Sequence, residues 1–148
     1  MTRPSRKTLI WGTANPEGLA ESYQGIYLNS QDIQSMVAQV NDARSQNEPI
    51  PVKIEHCMAD VGRVVSAWNY NNTLQCVLEL DESTLEGSIG LQFVRDGRIR
   101  DLSLGYSCEI ENSKQGLRSR SKGLREISIV KKGARHKCHI HAYYSSKG

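Results

Sequence analysis

No apolar run in this chain of 148 residues approaches the roughly 18–20 residues that a membrane helix needs. The longest candidate, Ile127–Val130, is only strand-sized. The start, Met1-Thr2-Arg3-Pro4-Ser5-Arg6-Lys7, is basic with no apolar stretch behind it, so no secretory signal is expected. The four cysteines, Cys57, Cys76, Cys108 and Cys138, include no CxxC pair. They are expected to be reduced, mostly buried thiols rather than a disulfide framework. Aromatic residues make up 6% of the chain, too few for the stacking platforms of a typical single-strand nucleic-acid binder. The net charge of +3 is mild and neither demands nor excludes a polyanionic partner. The length suits one domain and leaves no room for a dinucleotide fold joined to a substrate domain. These absences describe one soluble intracellular domain, 1–148, with loose ends expected at 1–7 and 145–148.

Most of the remaining pattern has the two-residue period of strands. Strands are expected at Thr8–Trp11, Ser22–Tyr27, Val52–Glu55, Gly62–Tyr70, Thr73–Leu80, Asp101–Glu111, Gly123–Val130 and Lys137–Tyr144. Asn71-Asn72 is a hairpin turn signal between two of them. The clearest helix is Gln31–Ser45, where Ile33, Met36, Val37, Val40 and Ala43 share one face, with Ser30 as its expected cap. Ser83–Val94 is ambiguous: Leu85, Ile89 and Phe93 have helical spacing, but Gly87 and Gly90 weaken a helix. Asn112–Lys122 reads as a polar, basic loop. The sum is a mainly β chain with a few helices: a single-domain, closed or partly closed β-barrel of about seven strands.

Several segments carry residues suited to chemistry. His56 stands alone after the strand Val52–Glu55, and such a histidine is ordinarily a surface or core residue. In Leu102-Ser103-Leu104-Gly105-Tyr106, Ser103 faces away from both leucines, and Gly105 would let a substrate backbone approach. Glu126, Ser128 and Val130 share one face of their strand. Glu126 would matter if it met His56, because a carboxylate on the far ring nitrogen fixes the tautomer and stabilises imidazolium. Gly133-Ala134-Arg135 can present backbone N–H groups and a positive charge to an oxyanion, or be a basic surface turn continuing Lys131-Lys132.

Taken in order, these segments resemble the capsid maturation proteases of herpesviruses, the assemblins. Pro51-Val52-Lys53-Ile54-Glu55-His56 with Val61-Gly62-Arg63-Val64-Val65 is similar to the region of that family's first catalytic histidine. Leu102-Ser103-Leu104 resembles its nucleophile strand, and Leu124–Val130 with Gly133-Ala134-Arg135 resembles the strand of its third triad member and its oxyanion loop. Ser22–Leu28, then a helix and Pro51, follow its N-terminal order. The resemblance runs from about Thr8 to Tyr144, in a chain much shorter than a typical assemblin. Assemblins carry Ser-His-His, whereas Glu126 stands at the third position here. The Ser103 and Glu126 strands resemble instead those of the related prohead proteases of tailed phages, Leu-Ser-Ile-Gly-Phe/Tyr and Glu-Val/Ile-Ser-Leu-Val.

The resemblance implies a serine endopeptidase that cleaves scaffold protein, and itself, during capsid or prohead maturation. It implies Ser103 as nucleophile, His56 as base, Glu126 as the orienting group, and the Ala134 N–H with Arg135 at the oxyanion. It implies scaffold and capsid polypeptides as partners, and a homodimer or higher assembly inside the immature capsid. The setting would be a host nucleus for a herpesvirus-like source and cytoplasm for a phage. No cofactor, metal, membrane or nucleic-acid partner is expected. His136, His139 and His141 are the rivals for the third position. With Cys138, and Cys57 beside them, they are also a less favoured metal set, because consecutive strand residues diverge to opposite faces. The alternative functions are a small basic barrel binding nucleic acid through Lys114, Arg118, Arg120, Lys122 and Arg125, or a non-catalytic capsid-assembly protein.

Overall fold

The structure is a computed structural model that describes residues 7–15, 28–57, 59–113, 116–133, 135 and 137–145; within 108–122 it describes backbone only. The elements in chain order are β1 (Lys7–Asn15), α1 (Ser30–Ser45), β2 (Pro51–Ile54), β3 (Gly62–Tyr70), β4 (Thr73–Asp81), α2 (Leu85–Arg95), β5 (Asp101–Ser113), β6 (Gly116–Val130) and β7 (Ile140–Ser145). The strands form one sheet in the order β5-β6-β2-β3-β4-β1-β7. All neighbours are antiparallel except β2 and β6, where Val52, Lys53 and Ile54 lie beside Ile127, Ser128 and Ile129.

The sheet curls until its two edges meet. The Leu102 N–H donates to the Cys138 carbonyl at 2.8 Å, and the Ile140 N–H to the Arg100 carbonyl at 2.8 Å. Between them Asp101 bridges to His139. The expected partly closed, mainly β barrel is therefore present, with seven strands and two helices among the described residues.

Its interior is filled by alternate strand residues, Ile10, Leu78, Leu80, Ile127 and Ile129 among them, all fully buried. Helix α1 caps this core with Ile33, Met36 and Val40, the apolar face that the three-and-four spacing marks. Its cap is Asn29 rather than Ser30. The Asn29 side chain accepts from the Asp32 N–H at 2.9 Å, and the Asp32 carboxylate accepts from the Asn29 N–H at 2.8 Å. This reciprocal pair satisfies two groups at once, which a serine one residue later does not.

The ambiguous segment 83–94 is helix α2, capped by Thr84, whose hydroxyl accepts from the Gly87 N–H at 3.0 Å. Its glycines are points of close approach. A Cβ on Gly87 would lie 1.8 Å from the Asp81 carbonyl oxygen, and one on Gly90 3.1 Å from Ile54 Cδ1. Helical propensity yields here to packing distance.

The expected loop Asn112–Lys122 is mostly strand. β5 runs on to Ser113 and β6 begins at Gly116, with Glu111 opposite Arg118 and Asn112 opposite Leu117. Its ladder is made by backbone, so it needs no alternation of apolar side chains. The ends also differ from expectation: Lys7 opens β1 and Ser145 closes β7. Asn71 and Asn72 form the expected hairpin turn, both at positive φ, 49° and 61°. The expected strand Ser22–Tyr27 lies outside the described residues.

Candidate functional site

The site is assembled where β2, β5 and β6 run side by side. The parallel pairing of β2 with β6 continues one residue past β2, where the Glu55 N–H donates to the Ile129 carbonyl at 3.1 Å. The chain then turns sharply. The Cys57 N–H donates to the Ile54 carbonyl at 2.9 Å, and both central residues, Glu55 and His56, have positive φ of 50° and 57°. Left-handed backbone at two non-glycine residues costs about 1–2 kcal/mol each. It turns the His56 ring back over the sheet.

There the ring meets β5 and β6. His56 Nε2 lies 3.0 Å from Ser103 Oγ on β5. On the other side His56 Nδ1 forms a short hydrogen bond with Glu126 Oε1 on β6. The carboxylate only accepts, so Nδ1 carries the proton and Nε2 presents its lone pair to the serine hydroxyl. Ser103, His56 and Glu126, three residues 47 and 70 positions apart from His56 outward, form one hydrogen-bonded chain.

The carboxylate is deeply set, with Glu126 7% exposed and Ser128 0% exposed. Its second oxygen, Oε2, accepts from the Ser128 hydroxyl at 2.7 Å. That hydroxyl accepts in turn from the His56 backbone N–H at 3.0 Å. Gly105 is the register partner of Glu126 across β5 and β6. A Cβ there would stand 2.1 Å from Glu126 Oε1. The glycine thus makes room for the Glu126 side chain, rather than for an approaching substrate backbone as its sequence context suggested.

The basic segment after β6 is tied to the same region from both sides. The Lys131 N–H donates to Glu55 Oε1 at 2.6 Å, and the Gly133 N–H to Asp101 Oδ2 at 2.8 Å. Arg135 is buried, its guanidinium 5.6 Å from the Tyr106 ring centre, and it donates to the Tyr106 hydroxyl at 3.0 Å. This residue is therefore not part of a solvated surface turn. Ala134 lies outside the described residues.

The rival histidines have other partners. His139 Nδ1 is 2.7 Å from Asp101 Oδ1. His141 Nε2 is 2.6 Å from Thr13 Oγ1, which accepts from Gln75 Nε2 at 3.0 Å. Thr13 thus links Gln75 to the His141 ring. Burial, and then the neighbouring His139, lower the His141 pKa from its ordinary value. His136 lies outside the described residues. No group of three metal-ligating side chains occurs among the described residues.

Two of the expected buried thiols are buried, Cys76 and Cys138, but Cys57 is exposed. Burial, and secondarily Cys138, push the Cys76 thiol up to about 12. The side chain of Cys108 lies outside the described residues.

Sequence reasoning did not assign a task to Ser128 or Tyr106. Ser128 was within reach of it, because its two-residue spacing from Glu126 puts both on one face. Tyr106 was not, because its contact with Arg135 depends on where the chain turns after β6.

No protein-family model and no curated protein matches the sequence. Among solved structures, the fold matches that of the KSHV protease in complex with a hexapeptide phosphonate inhibitor, with a TM-score of 0.62 at 14% identity. The match covers 93% of this chain and 65% of that one, so this chain spans just under two thirds of the solved protease's length. The barrel built around Ser103, His56 and Glu126 thus has an assemblin-like fold.

Proposed function

We propose that this chain is a serine endopeptidase that processes scaffold polypeptide within an immature viral capsid. The observation that carries the reading is the hydrogen-bonded chain from Ser103 through His56 to Glu126. The likeness of the fold to a herpesvirus protease supports it independently.

In the mechanism, Ser103 Oγ attacks the carbonyl carbon of the scissile peptide while its proton passes to His56 Nε2. The imidazolium so formed is stabilised by Glu126. The C–N bond breaks as His56 returns the proton to the departing amine. A water molecule, deprotonated by His56, then attacks the acyl-enzyme, and Ser103 recovers its proton. The oxyanion role belongs to the Ala134 N–H and to Arg135, whose charge balances the developing alkoxide. A glutamate in the third position aligns the chain with the prohead-protease branch, since an anion orients imidazolium at least as well as a neutral imidazole does. Self-cleavage and assembly of two or more copies inside the capsid belong to the same proposal.

The test uses a fluorophosphonate, which needs no known substrate sequence. Ser103 Oγ should bond to phosphorus with loss of fluoride, giving a mass increase located on Ser103. Ser103→Ala should abolish both this labelling and the cleavage of a scaffold-fused precursor. Glu126→Gln should slow labelling by about 10³–10⁴-fold, as loss of the orienting anion does in other triads. His139→Ala and His141→Ala should retain it. Retained self-processing by Ser103→Ala would end the assignment.

A further inference from the structure

We infer that Ser128 is a positioning residue for the proposed hydrolysis, acting on His56 and Glu126 together. The inference rests on the endopeptidase reading and concerns a hydroxyl hydrogen-bonded to His56 and Glu126.

The geometry is a closed ring of hydrogen bonds. The His56 backbone N–H donates to Ser128 Oγ at 3.0 Å, and the Ser128 hydroxyl donates to Glu126 Oε2 at 2.7 Å. Glu126 Oε1 then returns to the same histidine at Nδ1. One residue, His56, is therefore held at its backbone and at its ring by two ends of one carboxylate–hydroxyl unit.

Each link has a physical role. A serine hydroxyl rotates freely unless its lone pairs are engaged. Here the His56 N–H occupies one of them, which directs the O–H proton toward Oε2. With Oε2 anchored, the carboxylate cannot swing, and Oε1 stays on Nδ1. The backbone link matters because His56 sits at a φ of 57°, a conformation that needs outside support to persist. Ser128 also lies directly opposite Ser103 in the β5–β6 register. Its position is thus fixed by the ladder that fixes the nucleophile, and its side chain is fully buried.

The hydroxyl also sets the charge that His56 feels. A hydrogen bond donated to Oε2 favours the ionised carboxylate and draws charge away from Oε1. Without it, Oε1 holds the imidazolium proton more tightly.

The experiment is the fluorophosphonate reaction of the full chain followed against probe concentration. In Ser128→Ala, the rate constant at saturating probe should fall roughly 10- to 100-fold, the range seen when a group orienting an acting side chain is removed. The half-saturating probe concentration should not change. Ser128→Cys, a near isostere with a weak donor, should also lower the rate constant with the half-saturating concentration unchanged, and serves if the alanine variant does not fold. On a Glu126→Gln background, Ser128→Ala should cost less than about threefold more, because the group it positions is already disabled. An unchanged rate constant, a changed half-saturating concentration, or a full multiplicative loss on that background overturns the positioning role. A wild-type chain that is not labelled at Ser103 overturns the endopeptidase reading instead, so the two failures are distinct.

Discussion

At the residue scale, the site depends on one atom that is missing. Gly105 has no side chain, and the space of its absent Cβ is filled by Glu126 Oε1 at 2.1 Å. In Gly105→Ala the carboxylate must leave Nδ1 or the strands must part. Labelling of Ser103 should therefore fall at least about tenfold, while overpacking costs about 1–3 kcal/mol of stability in a urea titration. An unchanged labelling rate would mean that Glu126 has a second working position. The residues of this site were legible to different degrees. His56, Ser103 and Glu126 lie in short segments whose order along the chain is distinctive. Ser128 was visible only as a same-face neighbour, and Gly105 was assigned the wrong neighbour. A sequence states which residue has room beside it but not what fills that room.

At the element scale, strands with an apolar face declared themselves, and elements stabilised by other means did not. α1 was bounded to within one residue because it buries a regular apolar stripe. β3 was bounded to the residue between Gly62 and the Asn71-Asn72 turn, although a register shift between Val64 and Ser66 sets its buried residues, Val64 and Ala67, three apart. The outer half of the β5–β6 hairpin was hidden because its register is carried by backbone bonds. Helix α2 was obscured by glycines at points of close approach, Gly87 to Asp81 of β4 and Gly90 to Ile54 and Ile129. Gly87→Ala tests that point directly. Alanine is about 1 kcal/mol better than glycine within a helix. The added methyl carbon would stand 1.8 Å from the Asp81 carbonyl oxygen, a backbone atom that cannot rotate aside. The net effect should be a loss of about 1–3 kcal/mol on urea unfolding. A stabilised Gly87→Ala would show that α2 can shift away from β4 at little cost.

At the scale of the whole molecule, β7 and the edge of β1 carry a pH response separate from the candidate site. A hydrogen-bonded series runs from Trp11 Nε1 to Gln75 Oε1 at 3.1 Å, and from Gln75 through Thr13 to His141. Burial at the end of this series, and then the neighbouring His139, lower the His141 pKa and favour its neutral form. The unfolded chain takes up a proton at the ordinary histidine value of 6.5, and folded His141 resists it to lower pH. The unfolded state therefore binds more protons as pH falls through that range. His141 contributes full stability above 6.5 and loses it progressively below, toward its depressed folded value. Urea unfolding at about pH 7.5 and about pH 5 should register the loss, and His141→Gln should reduce it. Equal pH dependence in both proteins would remove His141 as the cause.

The seam of the barrel has a further consequence. The amide of Leu102, next to Ser103, donates across the seam to Cys138, and the Ile140 amide donates back to Arg100. These two protons are shielded by one and the same closure, so they should exchange with solvent in a single opening event. The lifetime of that closure sets how long the nucleophile strand keeps its alignment. Deuterium uptake at two main-chain amides thus serves as a clock for the readiness of a serine that neither amide touches.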